Sequence, residues 1–116
     1  MSDAFVVELT PRAADDLRAL HAYVSSHASR PTADRLLDTL VDRFSALDHF
    51  PMRGSLPKEL EAIGNDEFRQ QVVGKYRVFY RIDARRFRIV LIADGRRDMK
   101  DLLSRRLLLT PPDSPR

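Results

Sequence analysis

The sequence of 116 residues contains no cysteine, no tryptophan and only four glycines. Without cysteine the chain has no disulfide bond, no thiolate metal ligand and no thiol nucleophile. The four glycines are too scattered to form the glycine-rich loop that binds a phosphate group. No apolar run approaches the roughly 18 residues that a membrane-spanning helix needs. We therefore expect a single small cytoplasmic domain that is stabilised by packing alone.

Histidine is also sparse, with three residues, His21, His27 and His49. His21 and His27 are six positions apart, a spacing that does not place two ligands on one face of a helix. No Gly-x-Ser-x-Gly sequence marks a serine nucleophile. The sequence therefore predicts no metal site, no cofactor and no nucleophilic hydrolase.

Charge, by contrast, is abundant and unevenly distributed. Residues 1–68 hold 7 basic and 12 acidic side chains, whereas residues 69–116 hold 13 basic and 5 acidic ones. The net charge of +3 is therefore the sum of an acidic part at −5 and a basic part at +8. Clustered Lys and Arg favour a polyanionic partner, because counterions are released when they neutralise phosphates. A solvated basic surface without a function is the alternative.

The acidic part begins with the signals of an amphipathic helix. Thr10 is a good capping residue, and Pro11 fits the first helical position because no backbone N–H is needed there. Apolar residues at spacings of three and four then predict a helix over residues 11–27. Asp15 and Asp16 are expected near its first turn, where carboxylates favour the positive end of the helix dipole.

A second stripe of apolar residues follows the break at Pro31 and predicts another helix, which ends near Phe50. Because the link between the two helices is short, we expect them to pack antiparallel. Leu40 lies in the middle of the stripe and is predicted to be buried. Residues 51–66 are predicted to form a loop with one helical turn at residues 58–62.

After this loop the hydrophobic period changes to two, which predicts three strands at residues 68–73, 76–82 and 87–93. Gly74 and Lys75 form the tight turn between the first two strands. In the last strand the same alternation predicts one face with Phe87, Ile89 and Leu91 and an opposite face with Arg88, Val90 and Ile92.

One further strand is predicted by the β-branched and aromatic run at residues 5–9. The order strand, helix, helix, strand, strand, strand indicates an α+β domain. Its antiparallel two-helix hairpin packs on one face of a four-stranded, mainly antiparallel sheet. We expect this domain to cover residues 1–109, with a disordered tail at residues 110–116. A short C-terminal helix is predicted by the spacing of Met99, Leu102, Leu103 and Leu107.

The candidate functional residues are five arginines on or beside the basic strands: Arg69, Arg77, Arg81, Arg96 and Arg97. A guanidinium group binds phosphate oxygens through paired hydrogen bonds and stabilises charge that develops on phosphorus. Arg77 and Arg81 share one face of a strand about 13 Å apart, which suits two neighbouring phosphates. Their joint replacement by alanine is expected to weaken action on the target and to leave the fold intact. Alternatively, the arginines cover an open sheet face or pair with Asp83, Asp94 and Asp98.

A resemblance to a known family is carried by four segments: Leu9-Thr10-Pro11-Arg12-Ala13 with Asp16-Leu17, Phe50-Pro51 with Gly54, Tyr76-Arg77-Val78-Phe79-Tyr80-Arg81-Ile82, and Asp94-Gly95-Arg96-Arg97-Asp98. In this order and spacing they resemble the RelE/ParE superfamily, the toxins of type II toxin–antitoxin modules. The resemblance extends over roughly residues 5–108. It implies a plasmid-stabilising growth inhibitor that a cognate antitoxin neutralises.

The superfamily has two branches with different targets. RelE-like members cleave messenger RNA on the ribosome, and this resemblance implies catalytic roles for Arg69, Arg77 and Arg96 or Arg97. Such ribonucleases add a histidine or tyrosine near the C-terminal end, and the present chain has neither after Tyr80. ParE-like members inhibit DNA gyrase by binding, and the opening and closing motifs look closer to this branch. A degenerate toxin that only binds antitoxin is a third possibility.

Both branches imply a complex between the toxin and its antitoxin. A segment of the antitoxin that is disordered when free is expected to cover apolar grooves of the toxin. Leu102, Leu103 and Leu107 are the candidate contacts for that segment. The alternative is that they belong to a terminal helix that packs on the core.

Overall fold

The computed structural model describes residues 6–46 and 54–108. The predicted end of the second helix near Phe50 and the predicted tail at 110–116 lie outside these residues. In chain order the elements are β1 (Val6–Leu9), α1 (Pro11–His27), α2 (Arg30–Ala46), α3 (Lys58–Glu61), β2 (Arg69–Val73), β3 (Tyr76–Asp83), β4 (Arg86–Asp94) and α4 (Met99–Leu103). A π-helical turn, Ser104–Leu108, continues α4, and we call the two together the C-terminal helix.

The four strands form one sheet in the order β1-β4-β3-β2. β1 runs parallel to β4, whereas the β2–β3 and β3–β4 pairs are antiparallel. Gly74 has a φ of +60° in the turn before β3, a conformation that glycine adopts without strain. The predicted α+β fold, with a helical hairpin on a mainly antiparallel sheet, is confirmed.

α1 begins as its sequence predicts. The side chain of Thr10 accepts a hydrogen bond from the backbone N–H of Ala13, and Pro11 occupies the first helical position. Asp15 and Asp16 follow the first turn directly, although the turn itself contains no acidic residue. Asp16 instead reaches across to β4, where its carboxylate accepts a hydrogen bond from the backbone N–H of Ile92.

The helical hairpin covers the first face of the sheet. Leu40 and Phe44 of α2 and Ala13 of α1 are buried there against side chains of β2, β3 and β4. Tyr80 and Phe87 meet in this core edge to face, with ring centroids 5.5 Å apart. Leu40 is fully buried, whereas its neighbour Val41 is 46% exposed.

The second face of the sheet is not open. Phe79 of β3 and three residues of β4 are buried there beneath α3 and the C-terminal helix. This second core forms because leucines of α3 and of the C-terminal helix pack against the same side of the sheet. The covering side chains are Leu60, Met99, Leu102, Leu103 and Leu107.

A β-bulge interrupts the pairing of β3 with β4. Phe79 lies opposite Leu91 and Tyr80 lies opposite Ile89, so Val90 is an extra residue on β4. The bulge shifts the alternation, and both Val90 and Leu91 belong to the second core while Ile92 belongs to the first. The predicted two-residue alternation of β4 therefore holds as far as Val90 and is wrong for Leu91 and Ile92.

No helix in residues 6–46 and 54–108 is long and apolar enough to cross a membrane.

Truncation of Leu40 to alanine is expected to lower the free energy of unfolding by about 2–5 kcal/mol, since it removes a fully buried side chain from the first core. Val41→Ala is the matched control, because its side chain is exposed and its truncation is expected to change stability little. Urea denaturation of both variants measures the difference. Equal stabilities for the two variants would contradict the observed orientation of α2.

Candidate functional site

Arg77 of β3 is held by hydrogen bonds to two side chains of the same chain. Its Nη1 and Nη2 atoms donate to the two carboxylate oxygens of Glu59, each at 2.9 Å, and its Nε donates to Oε1 of Gln70 at 2.7 Å. The guanidinium carbon lies 4.9 Å from the ring centroid of Phe79. Only 13% of the Arg77 side chain is exposed. The structure therefore places this arginine in a packed, paired position.

Glu59 is the partner that brings about this arrangement. It lies on α3, which Leu60 anchors to the second core. The hydrogen bonds from Arg77 lower the pKa of Glu59 to about 2, although burial acts in the opposite direction. The carboxylate is thus ionised throughout the physiological range, and the pair is a partly buried salt bridge with two parallel hydrogen bonds.

Arg69 of β2 binds the loop that precedes α3. Its Nη1 atom donates to the carbonyl oxygen of Gly54 at 2.9 Å, while the N–H of Gly54 donates to the hydroxyl oxygen of Tyr80 at 3.1 Å. A side chain at position 54 would come within 2.6 Å of the carbonyl oxygen of Gln70, so this close approach requires glycine. Burial raises the pKa of Tyr80. Arg69 and Tyr80 together hold the loop against the sheet.

Arg81 lies on the same side of β3 as Arg77, towards the β3–β4 turn. Its guanidinium group is 3.6 Å from a carboxylate oxygen of Glu67 and 3.9 Å from one of Asp83. About a quarter of its side chain, 24%, is exposed. Arg81 is therefore only partly accessible, and the predicted pairing with Asp83 is present.

Arg96 and Arg97 lie in the turn after β4 and are the most accessible of the five arginines. The side chain of Arg96 is 79% exposed and binds the carboxylate of Asp94. This hydrogen bonding lowers the pKa of Asp94 and raises that of Arg96. Arg97 is exposed, and its backbone N–H donates to the carbonyl oxygen of Asp94. The turn thus presents two guanidinium groups to solvent.

The three leucines predicted to contact an antitoxin are buried. Leu102, Leu103 and Leu107 have exposed fractions of 4%, 1% and 7%, and all three pack in the second core. The alternative, a terminal helix packed on the core, is what the structure contains. In this conformation the three side chains contact the core and are shielded from solvent.

An ion pair that the sequence did not reveal fixes the C-terminal helix. Arg106 donates to both carboxylate oxygens of Asp16 at 3.0 Å and to the carbonyl oxygen of Val90 at 2.9 Å. Only 14% and 18% of the two side chains are exposed. They lie 90 positions apart in the chain, so no local pattern points to their contact. Asp16 thereby joins α1, β4 and the C-terminal helix.

Metal ligands are not grouped in the part of the chain that the structure describes. No set of three or more His, Asp or Glu side chains could hold a metal ion among these residues. His21 instead lies 2.8 Å from a carboxylate oxygen of Asp34, and His27 stacks on the ring of Tyr23.

A protein-family model matches most of the chain. The model, described as the ParE toxin of type II toxin–antitoxin systems, parDE, matches residues 7–99. The chain belongs to the ParE toxin family. None of the curated protein sequences that were compared with it matches significantly.

Two solved structures resemble this ParE-family toxin. A chain of the chromosomal ParDE toxin–antitoxin system from P. aeruginosa is 16% identical to the present chain, and the two structures superpose with a TM-score of 0.67. The match covers 80% of the present chain and 98% of the ParDE chain. A chain of the RelBE2 toxin–antitoxin complex from Mycobacterium tuberculosis is 25% identical to the present chain, and the two structures superpose with a TM-score of 0.57. The match covers 78% of the present chain and 98% of the RelBE2 chain. The protein is thus a toxin of the RelE/ParE superfamily, and both similar structures come from toxin–antitoxin systems.

Proposed function

We propose that the protein is a cytoplasmic toxin that inhibits DNA gyrase by binding it and does not cleave RNA. Membership of the ParE toxin family supports this function. Binding is favoured over catalysis by the hydrogen bonding of Arg77, the arginine that the RelE-like mechanism would use to bind phosphate. Its two terminal nitrogens are bound by one carboxylate, Glu59.

Catalysis by Arg77 would require this salt bridge to break. A guanidinium group that stabilises a phosphorane-like transition state must point its N–H donors at the phosphate oxygens. Here the same donors are directed at Glu59 and Gln70, and the second core packs beside them. An incoming phosphate would compete with an ionised carboxylate that is already in place and partly buried.

Proton transfer also lacks a suitable group beside Arg77 among the described residues. Glu59 has a pKa of about 2, far below the neutral range in which a general base works best. Tyr80 is buried, and burial raises the pKa of its hydroxyl group. His21 and His27 lie on α1, which covers the opposite face of the sheet. Without such a group, a ribonuclease forgoes about 10²- to 10⁴-fold in rate.

Arg96 and Arg97 are the arginines that we assign to target contact. Their side chains are exposed, whereas those of Arg69 and Arg77 hold the fold together. Charged groups that steer and orient a protein partner must be accessible at the surface, as these two side chains are. The turn that carries both residues is fixed by the hydrogen bonds of Asp94 and by that of Gly95 to Lys75.

An assay of DNA supercoiling by purified gyrase tests this function. We expect the toxin to inhibit supercoiling, and the double variant R96A/R97A to need about tenfold more protein for the same inhibition, which corresponds to about 1.4 kcal/mol of binding. Arg105→Ala is the matched control, because Arg105 is an exposed arginine paired with Asp101 on the C-terminal helix. This variant is expected to inhibit gyrase as the unmodified toxin does.

Three outcomes would contradict the proposal. Supercoiling that is unchanged at saturating toxin excludes gyrase inhibition. Cleavage of messages within the ribosomal A-site codon after induction indicates the RelE-like activity instead. Normal growth upon induction without antitoxin indicates a degenerate toxin.

A further inference from the structure

β1 forms one edge of the sheet, with β4 on its inner side and no further strand beside it among the described residues. The N–H groups of Val6 and Thr10 donate to carbonyl oxygens on the side of β4. Alternate residues of a strand direct their backbone groups to opposite sides, so Glu8 also faces β4. Val7 and Leu9 therefore direct their N–H and C=O groups outward, where another strand can pair with them.

The outward edge of β1 lacks most of the features that prevent strands of different molecules from pairing. Such edges are usually protected by proline, by a bulge or by charged side chains, lysine above all. The strand Val6–Leu9 contains no proline, and its register with β4 is regular. Its one charged residue, Glu8, already has a partner, since a carboxylate oxygen lies 3.2 Å from Nε of Arg88. The two valines have the β-branched side chains that favour pairing.

Apolar side chains are exposed on both sides of this edge. Val6 is 57% exposed, and it lies on the second face of the sheet because its neighbour Val7 packs in the first core. On the first face, Val41 of α2 is 46% exposed. A groove of about 280 Å³ lies between α2 and β1 and is lined by Val7, Glu8, Leu9, Val41, Phe44, Ser45 and Ile89. A strand added to β1 would remove this apolar surface from water.

The charges of β1 select one register for pairing with a second copy of the chain. Opposite residues of an antiparallel pair share a face, so either Val7 meets the partner's Val7 or Glu8 meets the partner's Glu8. The second register would place two carboxylates directly opposite each other, which is destabilising. In the first register Glu8 would lie opposite the partner's Val6, whose neighbour in β4 is Arg86. Each Glu8 would then lie between Arg88 of its own chain and the partner's Arg86.

We propose that β1 pairs antiparallel with β1 of a second copy of the chain, so that the two sheets form one continuous sheet. The pairing is symmetric about Val7, whose N–H and C=O groups exchange hydrogen bonds with those of the partner's Val7. The partner is a second copy because the same strand supplies the donors, the acceptors, the carboxylate and the apolar surface that the pairing needs. A strand of four residues gives a small interface, so we expect a dissociation constant of about 10 µM. The inference does not depend on gyrase as the target.

Sedimentation velocity of the complete chain tests the dimer, at concentrations from tenfold below to tenfold above this value. We expect the average mass to rise from that of one chain towards that of two. Val7→Pro removes the outward N–H group, which an edge strand tolerates, and is expected to weaken the dimer by about tenfold or more. A toxin that stays monomeric throughout would overturn the proposal.

Val72→Pro is the matched control for Val7→Pro. Val72 lies on β2 at the opposite edge of the sheet and is 59% exposed. Its N–H group also points outward, because Gln70, two positions before it, exchanges hydrogen bonds with Ser55 on that side. We expect V72P to dimerise as the unmodified toxin does. A V7P variant that dimerises as tightly as V72P would contradict pairing through β1.

Cysteine crosslinking tests the register, since the sequence has no cysteine of its own. Opposite residues that exchange hydrogen bonds have Cα atoms about 5.5 Å apart, within the range that a disulfide spans. The two Glu8 residues would lie diagonally, about 7–8 Å apart, which is too far. Under mild oxidation we therefore expect V7C to form a linked dimer at least tenfold faster than E8C. Equal rates, or faster linkage of E8C, would contradict the register. Thermal unfolding of each variant distinguishes loss of pairing from loss of the fold.

Discussion

Replacement of Arg77 by alanine is expected to lower the free energy of unfolding by about 3 kcal/mol, because it leaves Glu59 partly buried without its partner. The same change removes the hydrogen bond to Gln70 and the packing on Phe79. Urea denaturation near neutral pH measures the loss. This expectation replaces the earlier one that R77A/R81A leaves the fold intact, which assumed a polar, open strand face.

Two further variants separate the structural role of Arg77 from a role at the target. The double variant R77M/E59L exchanges the salt bridge for apolar side chains of similar volume and is expected to be about as stable as the unmodified toxin. If it still inhibits gyrase, Arg77 acts only through the fold. Arg96→Ala is the control for loss of an exposed ion pair, and no change in stability is expected from it. Unchanged stability in Arg77→Ala as well would contradict the paired geometry.

The pH dependence of stability follows from the same pair. The pKa of Glu59 is about 2 in the folded chain against an ordinary value of 4.5. A lowered pKa in the folded state contributes stability that is fully present above the ordinary value and is lost as the pH falls from about 4.5 towards 2. Glu59→Gln is expected to reduce this acid-induced loss, which urea denaturation across that pH range measures.

Local signals in the sequence were sufficient for most of the fold. Thr10 and Pro11 mark the start of α1, and the predicted helix over 11–27 coincides with the observed Pro11–His27. The change from helical to two-residue periodicity located the three later strands, with Gly74 at the first turn. These features depend on neighbours in the sequence, so the sequence reveals them.

The features that the sequence did not predict depend on contacts between segments that are distant in the chain. The bulge at Val90 has no signature in an apolar run, yet it places Leu91 in the same core as Val90 and Ile92 in the other core, the reverse of what strict alternation predicts. Glu59, which decides the role of Arg77, lies in a segment without hydrophobic periodicity, 18 positions away. An arginine pattern read along one strand therefore indicated which residues share a face but not which of them are free to bind.

Asp16→Ala is expected to lower the free energy of unfolding by about 3–5 kcal/mol, because it leaves the largely buried guanidinium group of Arg106 without its carboxylate. The N–H of Ile92 also loses its acceptor at the bulge. Asp15→Ala is the matched control. Asp15 is the preceding residue, it is 71% exposed, and it pairs with Arg18, which is 72% exposed, so little change is expected.

Hydrogen exchange distinguishes this local anchor from a general loss of stability. Because Asp16 ties the C-terminal helix to α1 and β4, amides of residues 99–108 are expected to exchange faster in Asp16→Ala, while those of α2 change less. Equal exchange in D16A and D15A would show that the C-terminal helix is held by its leucines alone.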